Sequence, residues 1–337
     1  MTCTDVVLVG AGLASQRCAE TLRARGFDGP IRMIGAEPHA PYDRPPLSKE
    51  FLGEAAPPPL LRPHGWHAEH GVDLLLGDAA VALEDRRVRL ASGAAVPFGK
   101  LLVATGARAR TLPGLPDALT LRSVDDAHDL RERLRPGARL AIVGAGFVGM
   151  EVAATALHLG VEVTVFEMGP APLGRVLGPR VGSWFADLHR ARGVELRLGT
   201  GFDGKGDHDA VLTAVGATPD TEWAGPDPWR RPDVFVAGDA TGSQHWEAAA
   251  RQGNDAARAM LGLPPLPPAI DSVWSDQHGI RIHVLGRPSG EPHVEESTTD
   301  RLVAWFAEGA VLANAPELLP AARKRLRQTE TTQEIAA

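Results

Sequence analysis

Two parts of the chain share one pattern of apolar and polar positions. In the first, the apolar run Val6–Val9 ends in Gly10-Ala11-Gly12, and residues 14–25 then have helical character. A second apolar run, Ile31–Ile34, follows this helix and precedes Glu37. Strand, glycine-rich turn, helix, strand and acid in this order predict a βαβ unit of the nucleotide-binding type.

The same pattern recurs later in the chain. Arg139–Val143 is predicted as a strand, 144–149 as the turn, Glu151–Leu159 as a helix and Val161–Phe166 as the second strand, with Glu167 after it. Two copies so far apart indicate a repeated nucleotide-binding module rather than a solenoid of short repeats.

Apolar runs elsewhere predict further strands and two helices. Three of these runs end in glycine, at 101–106, 211–216 and 234–238. The other predicted strands are Val72–Leu76, Val81–Leu83, Val88–Leu90 and several within 271–312, and the predicted helices cover 246–261 and 316–328. The alternation of strands and helices predicts an α/β fold.

The glycine-rich turns suit a dinucleotide. The first glycine allows a tight turn, the second lets the backbone approach a pyrophosphate, and the third lets helix and strand pack closely. The pyrophosphate then binds N–H groups at the positive end of the helix. These residues are Gly10, Gly12 and Ser15 in the first copy, where Ser15 is a mild departure, and Gly144, Gly146 and Gly149 in the second.

An acid on the second strand of each copy bears on the choice of nucleotide. Glu37 and Glu167 stand where a carboxylate accepts hydrogen bonds from ribose hydroxyls and repels a 2′-phosphate. NAD(H) is therefore favoured over NADP(H), with Arg175 as a residue that would soften the preference. Two dinucleotide sites predict FAD together with NADH, since a flavin accepts a hydride and releases electrons singly.

Composition and charge narrow the class of protein. The length of 337 residues predicts two or three domains. With 35 basic and 42 acidic residues the net charge is −7, which argues against a nucleic-acid partner. The first apolar run has no basic region before it, and no apolar stretch is long enough for a bilayer. We expect no membrane partner and a cytoplasmic location.

One segment resembles a known family. Residues 41–50, PYDRPPLSKE, resemble the signature of the ferredoxin reductases of bacterial oxygenase systems, of the putidaredoxin-reductase type. Further matches follow in the same order along nearly the whole chain. They are LLVATGAR at 101–108, LRS at 121–123, the second glycine motif, FVAGD at 235–239, Trp246-Glu247 and WSDQ at 274–277.

This resemblance implies an α/β fold of two Rossmann-like dinucleotide-binding domains, for FAD and NAD, with a small α+β C-terminal domain. The predicted FAD domain covers 1–112 and 233–270, the NAD domain 113–232 and the C-terminal domain 271–337. The last two look shortened. Where the family has a β-meander, only residues 199–209 separate the predicted strand at 194–198 from the run at 210–216.

The resemblance also implies roles for single residues at the FAD site. Glu37 is expected to hold the adenosine ribose, Thr105 and Gly106 to line the cleft, and Asp239 to bind the ribityl chain. Arg44 and Lys49 are expected along the flavin, with Lys49 near the reactive N5 edge. Alternatively, Arg44 is an exposed loop charge and Asp239 caps the next helix.

Three further residues complete the implied site, and Gly216 joins the cofactor-binding set. Trp246 and Glu247 are expected near the flavin and nicotinamide, and Trp274 near the flavin ring. Lys49 and Glu247 are the predicted catalytic residues. A plain core position is the alternative for Trp274.

Cysteine and histidine positions exclude two other chemistries. The region after the first βαβ unit, 38–54, holds no cysteine, and Cys3 and Cys18 lie before and inside the first unit. Thiol-based flavin chemistry is therefore not expected. His64, His67 and His70 are predicted as a solvated surface stretch rather than a metal site, because no Cys or carboxylate pair completes a ligand set.

The predicted function is an FAD-dependent oxidoreductase that takes hydride from NADH and passes single electrons to an iron–sulfur ferredoxin. One alternative is a flavoenzyme that acts directly on a small organic substrate in a biosynthetic pathway. A third hypothesis is a flavin-binding module without catalysis. Bleaching of the flavin by NADH and the nature of the electron acceptor distinguish the three.

Overall fold

The computed structural model of the protein describes residues 5–53, 57–243 and 245–336, with side chains as far as residue 329. The chain forms two compact units. Unit 1 comprises Met1–Asp43, Pro58–Arg108 and Thr218–Pro268, and unit 2 comprises Arg44–Pro57, Ala109–Ala217 and Ala269–Ala337. Each glycine-rich turn lies in a different unit.

The predicted helices and strands occur in the predicted order. The helices at 50–53, 66–69, 124–133 and 174–192 and the short strands at 95–97, 107–109 and 217–219 were not predicted. The helices are α1 (Leu13–Ala24), α2 (Glu50–Gly53), α3 (Trp66–Glu69), α4 (Val124–Arg133), α5 (Phe147–His158), α6 (Gly174–Arg192), α7 (Trp246–Met260) and α8 (Leu319–Ala336). The strands are β1 (Val6–Val9), β2 (Ile31–Gly35), β3 (Val72–Leu76), β4 (Ala80–Glu84), β5 (Arg87–Leu90), β6 (Ala95–Pro97), β7 (Lys100–Val103), β8 (Ala107–Ala109), β9 (Arg139–Val143), β10 (Glu162–Glu167), β11 (Glu195–Leu198), β12 (Ala210–Thr213), β13 (Ala217–Pro219), β14 (Val234–Val236), β15 (Ser272–Gln277), β16 (Ile280–Gly286), β17 (His293–Ser297), β18 (Leu302–Trp305) and β19 (Gly309–Ala313).

Unit 1 is built on a parallel sheet of strand order β14-β7-β1-β2-β3. Its central strand is four consecutive apolar residues that are all buried, as expected for a parallel sheet covered on both faces. Leu22 of α1 and Met260 of α7 belong to the core on one face. Val88 and Val96, from the antiparallel sheet β4-β5-β6, belong to the core on the other.

Unit 2 repeats this arrangement and adds a second sheet. Its parallel sheet has the order β11-β10-β9-β12, which matches β3-β2-β1-β7 of unit 1. An antiparallel sheet of order β15-β16-β19-β18-β17 follows. Trp184 and Phe185 of α6 pack with one face of it, and Ala322 and Leu326 of α8 pack with the other. The C-terminal sheet is thus covered by helices on both sides.

The link between β11 and β12 is short, as the sequence predicts. Residues 199–209 are all described and contain no strand. Phe202 from this link packs on Phe166 of β10, with ring centroids 4.7 Å apart, and His208 lies edge-on to both rings. A loop therefore packs on this part of the sheet, where the resemblance had implied a β-meander.

The predicted domain boundaries remain a prediction. They group the chain by the cofactor each part is expected to bind, whereas the two units reflect compactness. Residues 44–57, placed in the FAD domain by sequence, lie in unit 2, and so does the predicted C-terminal domain. Among the described residues, no helix is both long enough and apolar enough to cross a bilayer.

Candidate functional site

The first glycine-rich turn begins where β1 ends. Gly10 has φ +109°, and a Cβ there would overlap the carbonyl of Ala104, which follows β7. Any other residue would therefore force the two strand ends apart. Backbone packing alone therefore requires glycine at this position.

The start of α1 fits an anionic phosphate group. Gly12 caps the helix without a side-chain hydrogen bond, and the first turn holds no acidic residue. A Cβ at Gly12 would meet open space. Ser15 is fully buried, and its hydroxyl has no hydrogen-bond partner among the described residues. Helix N–H groups and an orphaned hydroxyl together suit the pyrophosphate of FAD.

Glu37 lies just beyond β2 and is held in place by a neighbour. The hydroxyl of Tyr42 donates to its Oε2 at 2.5 Å. This contact keeps the carboxylate at the carboxyl end of the sheet, where an acid in this fold meets a ribose. The structure thus places Glu37 where its predicted role requires it, and the role itself remains a prediction.

Two further predicted FAD residues lie after β7. The Thr105 hydroxyl donates to the carbonyl of Asp220, and the Asp220 N–H donates to the carbonyl of Gly106 at 3.0 Å. Gly106 has φ +75°. Asp239 is half-buried in the short 3-10 turn Gly238–Thr241 after β14. Thr105, Gly106 and Asp239 therefore follow adjacent parallel strands of unit 1.

The start of α7 carries the last two residues predicted in unit 1. The Trp246 indole N–H donates to Asp43 Oδ1 at 2.7 Å, and the Arg17 guanidinium lies 6.0 Å from the indole ring. Glu247 lies in the first turn of the helix. Its predicted catalytic role is not tested by these contacts.

The second glycine-rich turn lies in unit 2, and the backbone requires glycine at two of its positions. Gly144 has φ +105°, and a Cβ there would lie 2.6 Å from the Ala214 carbonyl oxygen. A Cβ at Gly149 would overlap the Gly144 carbonyl, so this third position requires glycine. Gly146 caps α5, whose first turn also lacks an acid. Gly216, with φ +98°, accepts the Arg110 N–H through its carbonyl.

The Glu167 carboxylate accepts hydrogen bonds from backbone N–H groups in and near this turn. Its Oε2 accepts the Ala145 N–H at 2.9 Å, and its Oε1 accepts the Gly169 N–H at 2.7 Å. These two bonds fix the carboxylate at the end of β10, beside the start of α5. The position fits an acid that meets the ribose of NAD and repels a 2′-phosphate.

Lys49 has a partner that the sequence analysis missed. Its ammonium lies 2.8 Å from Oε2 of Glu151, and the side chains are 13 % and 7 % exposed. The Ser48 hydroxyl donates to the same oxygen, and the Ser275 hydroxyl donates to Oε1 at 2.6 Å. A single carboxylate within the apolar helix GFVGMEVAATALH was the available signal, because buried acids are almost always paired.

The two other predicted residues of unit 2 have structural contacts of their own. Arg44 donates from Nη1 to the carbonyl of Arg122 at 2.6 Å, so it is not a loosely exposed loop charge. Trp274 is half-buried on β15, where it pairs with His283 of β16. Their roles at the flavin remain predictions.

The cysteine and histidine positions agree only in part with expectation. Cys18 is fully buried, and desolvation raises the pKa of its thiol; Cys3 lies outside the described residues. His67, predicted as solvated, is 8 % exposed and shares a hydrogen bond with Gln16 Oε1, so that prediction was wrong. It was wrong because the residue faces inward from α3. No metal-binding cluster occurs among the described residues.

Comparison with known proteins places the chain in a family. The model of the pyridine nucleotide-disulphide oxidoreductases matches residues 4–227. The chain belongs to the pyridine nucleotide-disulphide oxidoreductase family. It is 35 % identical over 333 residues to the ferredoxin–NAD(+) reductase component of the biphenyl dioxygenase system of Paraburkholderia xenovorans (strain LB400), covering 85 % of this chain and 81 % of that relative.

Solved structures share the fold of this chain. Fdr9 is 32 % identical with a TM-score of 0.87, covering 96 % of this chain and 95 % of that one. A chain of the covalent complex of putidaredoxin reductase with putidaredoxin is 27 % identical with a TM-score of 0.85. The match covers 96 % of this chain and 92 % of that one. The predictions of the family, of the fold class and of an oxidoreductase activity are confirmed.

Proposed function

We propose that this oxidoreductase is the NADH-oxidising ferredoxin reductase of an oxygenase system. The observation that carries the proposal is the pair of dinucleotide-binding turns. Each keeps a glycine-capped helix whose first turn is free of acidic residues, and each has an acid at the end of the next strand. The names of the relatives, ferredoxin–NAD(+) reductase components, supply the acceptor.

FAD, when bound, accepts a hydride from NADH and releases electrons one at a time. In unit 1, the start of α1 with Ser15 would bind its pyrophosphate, and Glu37 its adenosine ribose. The other residues of this unit that we propose to contact FAD are Thr105, Gly106, Asp239, Trp246 and Glu247.

In unit 2, the start of α5 would bind the pyrophosphate of NADH, and Glu167 its ribose. The acid favours NADH over NADPH, because a 2′-phosphate beside a carboxylate is repelled. Lys49 is proposed as a cationic partner for the reduced flavin, with Glu151 holding its ammonium in place. Arg44, Gly216 and Trp274 are the other proposed cofactor contacts of this unit.

The alternative of a small organic substrate is not favoured, since curated relatives at 33–35 % identity are named ferredoxin reductase components. Cysteine chemistry is not part of the proposal. Cys18 is buried within α1, and a buried thiol with a raised pKa holds little of the reactive thiolate. A cytoplasmic location is part of the proposal.

The decisive test is anaerobic stopped-flow reduction of the purified flavoprotein by NADH, followed by the visible flavin absorbance. We expect rapid bleaching with NADH and slow bleaching with NADPH. The reduced protein should then reduce a [2Fe–2S] ferredoxin in single-electron steps. Bound FAD that NADH fails to bleach would refute the reductase function. Bleaching without electron transfer to any ferredoxin tested would support the small-substrate alternative.

A further inference from the structure

A line of hydrogen bonds, buried except for the last, crosses unit 2 from the Glu151 carboxylate to two histidines. Ser275 Oγ lies 2.6 Å from Glu151 Oε1, and Gln277 Nε2 lies 3.0 Å from Ser275 Oγ. Gln277 Oε1 lies 2.9 Å from His189 Nε2, and His189 Nδ1 lies 3.1 Å from His278 Nε2. Four consecutive hydrogen bonds thus link α5, β15, α6 and the turn after β15.

The ion pair with Lys49 gives this line a single direction. A carboxylate only accepts, so the Ser275 hydroxyl must donate to Glu151, and its oxygen is left to accept from the Gln277 amide nitrogen. The Gln277 amide oxygen is then the acceptor of the His189 Nε2–H.

The same reasoning determines which ring nitrogen carries the proton in each of the two histidines. With Nε2 protonated, a neutral His189 offers Nδ1 as an acceptor, and His278 must donate to it from Nε2. Every donor in the line therefore points toward Glu151. Hydrogen bonds that run in one direction polarise one another and strengthen the last one, which is the bond from Ser275 to the carboxylate.

Burial keeps the line in this state. His189 is fully buried, and desolvation lowers its pKa to about 3; His278 is half-buried, and desolvation lowers its pKa to about 4. Arg192 also lowers both pKa values through its charge, and it donates to the carbonyl of His278. At neutral pH both rings are uncharged, as the direction of the line requires.

We propose that Gln277 and His189 are positioning residues for the Lys49–Glu151 pair. They hold the Ser275 hydroxyl so that it donates to Oε1 of Glu151, which leaves Oε2 directed at the Lys49 ammonium. The inference rests on the proposed function in one respect, that Lys49 serves the flavin. The direction of the line itself stands on unit 2 alone.

Gln277→Glu tests the direction with almost no change of shape. Its carboxylate still accepts from His189, but it no longer donates to Ser275. The Ser275 hydroxyl then has two acceptors, Glu151 and the new acid, and one proton. Glu151 loses its donor in part or entirely, and a second negative charge lies one side chain away from it.

The first readout is the protonation of His189, read from long-range ¹⁵N–¹H correlation spectra of protein labelled with ¹⁵N-histidine. His189→Gln assigns the signal. We expect neutral His189 protonated on Nε2 at neutral pH, and a doubly protonated ring in Gln277→Glu, because a carboxylate stabilises the imidazolium. A wild-type ring protonated on Nδ1 would overturn the proposal, because a neutral His189 would then donate to His278 and could not donate to Gln277.

The second readout is flavin reduction by NADH. We expect Gln277→Glu to slow it about tenfold or more, the loss expected from one hydrogen bond to a charged group, with the KM for NADH unchanged. Ser275→Ala should give the same loss. Asp276→Asn is the matched control, because this half-buried neighbour pairs with Arg281 and is outside the line. Its rate should be unchanged.

The outcomes separate this inference from the proposed function. If wild-type FAD is not reduced by NADH, the proposed function fails, while the histidine spectra still test the direction of the line. If reduction is normal in the wild type and in both Gln277→Glu and Ser275→Ala, the positioning role is refuted and the reductase function stands.

Discussion

Glu151 is a buried acidic side chain inside a largely apolar helix, and its surroundings explain how it is tolerated. A buried carboxylate costs several kcal/mol unless it is paired and hydrogen-bonded. Lys49, Ser48 and Ser275 together supply an opposite charge and two hydroxyl donors. Removal of Lys49 would leave an uncompensated charge in the core, whereas removal of either serine would cost a hydrogen bond.

Glu167 gives a prediction at the residue scale. Glu167→Ala should raise the KM for NADH about tenfold or more, since a hydrogen bond to a charged group contributes about 1.5–3 kcal/mol. FAD content should not change, because the proposed FAD turn lies in unit 1. Steady-state kinetics and the flavin-to-protein absorbance ratio measure both.

Glu195→Ala is its control. Glu195 lies on the neighbouring strand β11, where it is exposed and pairs with Arg197. The same change of charge in the same sheet should leave the KM unaltered. An unchanged KM in Glu167→Ala would mean that the second turn does not bind the ribose of NADH.

At the scale of elements, the contact of α7 with α1 depends on one glycine. A Cβ at Gly253 would overlap the backbone carbonyl of Ala14 in α1. Two helices that approach this closely need a residue without a side chain at the crossing point. The contact matters for function because the starts of both helices carry proposed FAD contacts.

Gly253→Ala should therefore destabilise unit 1. Glycine to alanine in a helix normally stabilises by about 0.5–1 kcal/mol, but here α7 must move away from α1, an overpacking cost of about 1–3 kcal/mol. We expect a lower Tm and faster loss of FAD, measured by thermal melting and by flavin fluorescence.

Gly174→Ala is the matched change elsewhere. Gly174 begins α6, and a Cβ there would lie 3.6 Å from the Ala171 side chain, an ordinary contact. This variant should be as stable as the wild type or slightly more so. A Gly253→Ala protein with unchanged Tm and flavin retention would contradict the close crossing of α1 and α7.

At the scale of the whole molecule, buried histidines predict sensitivity to acid. Burial lowers the pKa of His189 to about 3 and of His278 to about 4, and it also lowers the pKa values of His67 and His283. An unfolded histidine has a pKa of about 6.5. Below that pH the unfolded chain takes up protons that the folded chain does not.

The histidines should therefore not reduce the free energy of unfolding above about pH 6.5. On acidification toward about pH 4 the free energy of unfolding should fall by up to about 1.4 kcal/mol per pH unit for each histidine. His189→Gln removes one such group. Its stability deficit relative to wild type should shrink between about pH 7 and about pH 5 in urea titrations. His64→Gln, at an exposed site, should follow the wild-type curve in parallel. A constant deficit in His189→Gln would contradict the shift.

The sequence by itself determined the features that depend on short-range pattern. Apolar runs, glycine spacing and a trailing acid define each βαβ unit locally, and the predicted strands lie within a few residues of their predicted bounds. Helix α8 extends to residue 336 instead of 328, and α4 and α6 were not predicted. The segment PYDRPPLSKE and the matches after it were enough for the family. The short link between β11 and β12 was also visible in the sequence, because chain length alone limits what can fit there.

Only the tertiary structure decided the contacts between distant residues. Lys49 meets Glu151 across 102 positions of sequence, and Glu151 meets Ser275 across 124. His67 turned inward for the same reason, since its partner Gln16 lies on another helix. Periodicity and spacing report which residues share a face of one element. They do not indicate which faces of different elements pack together. The line of hydrogen bonds in unit 2 forms only because α5, β15, α6 and the turn after β15 meet in the tertiary structure.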